Sequence, residues 1–157
     1  MKVEKDFEDF IELLNRHKVN YLIVGAYALA LFAEPRNTGD IDIFVERTKE
    51  NADKIINVLI DFGFESFGII ANDFVKKNIV VQLGVQPVRI DIITSISGVN
   101  FDEAYTFKEI KQFGKTTANF ISKEFLIKNK KATARKKDLA DLELLLKKKS
   151  KSFKRKT

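Results

Sequence analysis

A chain of 157 residues, close to half of them apolar, is long enough for one domain with a substantial core. It has no cysteine, which excludes disulfides, thiolate zinc sites and cysteine nucleophiles, and His17 is the only histidine, which excludes a histidine triad or a multi-histidine metal site. The net charge of +6 is uneven: from Lys123 onward 14 basic side chains stand against four acidic ones, whereas the preceding residues carry 14 basic and 18 acidic.

Phe7, Phe10, Ile11 and Leu14 recur at helical spacing and predict an amphipathic helix from Glu4 to His17, with His17 in a surface connection. Val19–Val24 has the length of an apolar strand. Gly25 allows a tight turn, and Ala26–Phe32 suits a short helix. A helix that starts at such a turn aims its unpaired N–H groups and positive dipole end at it, which makes a phosphate cradle. Pro35 ends the helix, and Glu34–Gly39 is a polar loop.

Asp40 and Asp42 follow on a second strand. Their side chains project to one face, about 7 Å apart along the chain, while Ile41, Ile43 and Val45 project to the other. With the loop already extended, Arg36 and Thr38 share the aspartate face, where Arg36 can pair with a phosphate or an aspartate. Two like charges this close repel, and burial raises the cost. A divalent cation held by oxygen ligands, Mg2+ or Mn2+, removes that cost.

Thr48 caps a helix running to about Asp61, which Gly63 ends. Phe64–Ala71 reads as a strand and Asn72–Asn78 as a loop or a single turn. Ile79–Gly84 and Val88–Thr94 form a hairpin around Val85–Pro87. Asp91 lies inside its second run among apolar neighbours and needs a partner. Arg89, Asp91 and Ile93 share one face, and a strand next to that of Asp40 would bring three carboxylates together. Phe101–Tyr105 is a helical turn, and Phe107–Phe113 and Thr116–Ile121 form a second hairpin around Gly114. Ser122 caps a helix to about Thr133. A last helix spans about Lys136–Lys148, with Leu139, Leu142, Leu145 and Leu146 on its apolar side and Asp138 and Asp141 one turn apart on a shared face. Lys147–Thr157 holds seven basic and no acidic side chains and reads as a disordered end.

The strand followed by VGAYALA, the loop PRNTG, DIDI and the later VRIDIIT together resemble the nucleotidyltransferase superfamily of the polymerase-beta type. LIKNKKATARKKDLADLELL is similar to the closing motif of its minimal bacterial branch, which includes abortive-infection nucleotidyltransferase toxins. The resemblance spans Val19 to Leu146. It implies that Asp40 and Asp42 bind two magnesium ions and that Asp91 completes one metal site and helps to activate the attacking hydroxyl. It also implies that the Gly25 turn holds the phosphates of a nucleoside triphosphate, that Lys130 reaches them, and that Arg135 and Asp138 belong to the closing polar cluster. Ala26 departs from the pattern, since many members have Ser or Gly there. A serine hydroxyl bonds a phosphate, and alanine leaves only its backbone N–H.

The expected fold is therefore α+β: a nucleotidyltransferase fold with a mixed sheet flanked by helices. Its core is expected over 1–121, with C-terminal helices over 122–148 completing the same domain and a basic tail over 149–157. The expected activity is metal-dependent transfer of a nucleoside monophosphate from a nucleoside triphosphate to a hydroxyl, with an RNA 3′ end favoured by the basic C-terminal part. The alternatives are a catalytically silent module of the same fold that binds RNA or a partner protein in a toxin–antitoxin pair, and a nucleic-acid-binding protein whose acids are structural. The charged N-terminal stretch lacks an apolar signal core and no run is long enough to span a membrane, so a cytoplasmic protein is expected.

Overall fold

The computed structural model describes residues 2–33, 39–64, 68–147 and 154–155. In chain order the elements are β1 (Lys2–Val3), α1 (Lys5–Arg16), β2 (Tyr21–Val24), α2 (Gly25–Phe32), β3 (Asp40–Val45), α3 (Lys49–Phe62), a 3-10 turn (Ala71–Phe74), β4 (Val80–Leu83), β5 (Arg89–Ile93), α4 (Phe101–Thr106), β6 (Glu109–Phe113), β7 (Thr116–Phe120), α5 (Lys123–Thr133), α6 (Lys136–Leu145) and β8 (Lys154–Arg155).

Six strands form one mixed sheet in the order β4-β5-β3-β2-β7-β6. The two hairpins and the β2–β3 pair are antiparallel, whereas β3–β5 and β2–β7 are parallel. Its central strand β2 is buried along its length because it is apolar throughout, YLIV. The helix caps follow the sequence chemistry. Thr48, Asn100 and Ser122 accept hydrogen bonds from the backbone N–H groups of Asn51, Glu103 and Phe125. Gly63 closes α3 in the left-handed conformation.

Phenylalanines knit the layers. Phe10 of α1 meets Phe62 of α3 edge-on at 5.0 Å between ring centroids, and Phe7 meets Tyr27 of α2 at 5.7 Å. Glu8, on the buried side of α1, accepts a hydrogen bond at 2.9 Å from the backbone N–H of Lys115 in the β6–β7 turn. Any side chain on Gly114 in that turn would collide with this carboxylate.

Three expectations change. No strand forms among the described residues of Phe64–Ala71, where Glu65, Ser66 and Phe67 lie outside the described residues. Gly68 adopts φ +71°, and the Asp73 carboxylate accepts the N–H of Ile70, which turns the backbone into the 3-10 segment. On α6, Leu139 and Leu146 are exposed, and the buried positions are Asp138, Asp141 and Leu145. Within the expected tail, Lys154–Arg155 pair in parallel with Lys2–Val3, and residues 149–153 and 156–157 lie outside the described residues. Among the described residues no helix is long and apolar enough to cross a membrane.

Phe10 is fully buried. Phe10→Ala should lower stability by about 3–5 kcal/mol, read from the denaturant midpoint at an unchanged m-value.

Candidate functional site

The parallel register of β3 and β5 decides the site. Asp40 lies opposite Arg89 and Asp42 opposite Asp91, so all four side chains emerge on one face of the sheet. A slip of one residue would have sent Asp91 into the core. Instead, one carboxylate oxygen from each of Asp40, Asp42 and Asp91 lies within 4.8 Å of the others. Ile41, Ile43, Ile90 and Ile92 occupy the opposite face and are fully packed, which fixes both strands.

Arg89 is the internal counter-ion. Its Nε and Nη2 donate to the two oxygens of Asp91 at 2.9 and 3.0 Å, and Nη2 also reaches Asp40 Oδ2 at 3.1 Å. Asp42 receives no such bond from it. Burial, then the like charges of Asp40 and Asp91 and a hydrogen bond with Asp91, push the Asp42 carboxyl up to about 7, with Arg89 only partly offsetting them. Burial also raises Asp91, against the lowering effect of Arg89.

Gly25 sits where β2 passes into α2, and Val24 pairs with Asp42 across the β2–β3 ladder. Its φ of +68° suits glycine alone, and a Cβ there would run into Asp42 Oδ2. The start of α2 is thereby pressed against the carboxylates. Hard oxygen donors, mutual repulsion and a protonation cost on Asp42 together describe a cluster suited to Mg2+ or Mn2+.

The cluster opens on a cleft of about 1010 Å³. Gly25, Ala26, Asp40 and Asp42 line one side, and Lys130, Arg135 and Lys137 of the C-terminal helices line another. Phe44, Ile93 and Phe101 add an apolar stretch. Of the expected site residues, Gly25, Ala26, Asp40, Asp42, Lys130 and Arg135 line this one cleft, and Asp91 lies beneath it against Arg89. Asp138 is fully buried and does not line the cleft; the guanidinium of Arg135 above all, with the backbone N–H of the same residue, holds its carboxyl well below the usual range. Arg36 and Thr38 lie outside the described residues. Arg89 and Asp141 were not expected in the site. The alternation Arg89-x-Asp91 carried the signal for the first, since it puts a cation on the face of the acids.

No family model matches the sequence, and no curated protein matches it. Among solved structures the chain is similar to the lincosamide antibiotic adenylyltransferase LnuA in its lincomycin-bound crystal structure. The TM-score is 0.58 at 19% identity, over 93% of this chain and 98% of that one. The chain thus has the nucleotidyltransferase fold, a mixed sheet flanked by helices.

The raised Asp42 sets a pH dependence. Between about pH 4 and pH 7 the folded protein holds a proton that the unfolded chain has released, so stability falls as pH rises through this window. Thermal melts without divalent cation should show that fall, Asp42→Asn should flatten it, and added Mg2+ should reverse it at pH 7 to 8.

Proposed function

We propose that this protein is a nucleotidyltransferase that moves a nucleoside monophosphate from a nucleoside triphosphate to a hydroxyl acceptor. The observation that carries the proposal is the convergence of Asp40, Asp42 and Asp91 within 4.8 Å beside the Gly25 turn. The reaction forms a bond between the acceptor oxygen and the α-phosphorus and breaks the α–β phosphoanhydride. Pyrophosphate leaves, and the hydroxyl proton passes to the carboxylate cluster. Asp40, Asp42 and Asp91 would hold magnesium or manganese, which when bound neutralises charge on the attacking and leaving oxygens. The chain's own part is placement. The backbone N–H groups at the start of α2 receive phosphate oxygens, with no hydroxyl from Ala26, and Lys130 and Arg135 offer positive charge from the facing wall. Asp91 is kept in register by Arg89.

Two acceptor classes have support. The excess of basic side chains after Lys123 favours an RNA 3′ hydroxyl, in line with a toxin-like role. The likeness in fold to a lincosamide adenylyltransferase favours a small hydroxyl-bearing molecule.

Labelled ATP, CTP, GTP and UTP should be offered with Mg2+ to total RNA and, separately, to a panel of hydroxyl-bearing small molecules. Label should transfer in one arm, and Asp42→Asn should cut the rate by at least about 100-fold. If neither arm takes label while the folded protein binds each triphosphate, the protein is a silent nucleotide-binding module.

A further inference from the structure

Lys130, on α5, places its ammonium between two carboxylates of α6. Nζ lies 3.4 Å from Asp138 Oδ1 and 3.2 Å from Asp141 Oδ2. All three side chains are nearly closed off from solvent. The two acids are not equivalent. Asp138 caps the start of α6, where it also accepts from the backbone N–H and the guanidinium of Arg135, and it does not line the cleft. Asp141, one turn further on, lines the cleft together with Lys130.

A buried acid in the wall of an anion-binding cleft opposes its ligand unless it serves another purpose. The purpose follows from donor geometry. An ammonium group has three N–H donors. Asp138 accepts one of them, whereas Asp141 Oδ2 lies beside the ammonium as an ion-pair partner without accepting a hydrogen bond, so donors remain for a ligand in the cleft that Lys130 lines together with Gly25 and Ala26. Asp138 and Asp141 offset Lys130 and Arg135 and leave Lys137 as the excess charge of this wall, so Lys130 is an oriented donor rather than part of a broad positive field.

We infer that Asp141 is a positioning residue that aims the Lys130 ammonium at the polyphosphate of the substrate. The inference rests on the nucleotidyltransferase reading above. It makes the α5–α6 pair a working wall of the site: Lys130 contacts the phosphates, Asp141 acts through Lys130, and Asp138 anchors both to the helix start.

Two measurements test it. The first is binding of inorganic tripolyphosphate without divalent cation, by calorimetry. Lys130→Met should weaken it by about 10-fold or more, whereas Asp141→Asn should leave it equal or tighter, because a negative charge beside the anion is gone. The second is turnover with the accepted triphosphate. Asp141→Asn should lower kcat by between about 10- and 100-fold without raising KM, and should lower it no further in a Lys130→Met background. Asp141→Glu serves as the second variant if the amide does not fold; it keeps the charge but moves it by one methylene and should show the same split between kcat and KM.

An Asp141→Asn protein that loses tripolyphosphate as Lys130→Met does, that keeps full kcat, or whose loss adds in full to that of Lys130→Met would overturn the inference. The two readings separate cleanly. Lys130-dependent binding of tripolyphosphate without any nucleotide transfer sinks the enzyme reading and leaves the aimed lysine. Transfer that ignores Lys130 and Asp141 does the reverse.

Discussion

Three carboxylates held within reach of one another on a half-buried sheet face are the constraint to which the rest of this structure responds. Mutual repulsion in a poorly solvated place has few remedies: a counter-ion, a proton or a metal. The chain supplies the first with Arg89, which grips Asp91 with two hydrogen bonds and Asp40 with one. It concedes the second at Asp42, the member that Arg89 does not bind and whose carboxyl rises to about 7. The third remains available because the donors are oxygens that converge beside the opening of a cleft.

The core of the site was legible because strand alternation is a local property. Asp40-Ile41-Asp42 must put both acids on one face whatever the strand pairs with. The position of Asp91 was not legible, because it depends on a parallel register between segments some 50 residues apart, set by the packing of Ile41 and Ile43 with Ile90 and Ile92 on the far face. The link from Arg89 to Asp40 was hidden for the same reason, because Asp40 belongs to the other strand, whereas its pairing with Asp91 two residues on follows from local alternation.

Hydrophobic periodicity misled at α6. Four leucines suggested an apolar stripe through Leu139 and Leu146, yet those two are exposed while Asp138 and Asp141 are buried. Polar burial won because Lys130 lies on the neighbouring helix, and a buried ammonium requires carboxylates more strongly than a helix requires two further leucines inside. Among the described residues of the strand expected after Gly63, local chemistry opposes extension. A glycine at φ +71° and an aspartate that captures the N–H of Ile70 favour a turn over extension.

Such a polar seam also ties the site to the fold. The α5–α6 pair packs on α2, the helix whose first residues border Asp42, so the wall bearing Lys130 and the turn at Gly25 are set by a single packing interface. Displacing α6 would then cost more than helix contacts. It would leave Lys130 buried without its acids, and it would open the cleft on the side that faces the carboxylates. Stability of the C-terminal helices and geometry at the acidic cluster are thus one property. That coupling explains why a chain of this size keeps four charged groups at the joint between two helices, where apolar side chains would have packed at less electrostatic cost.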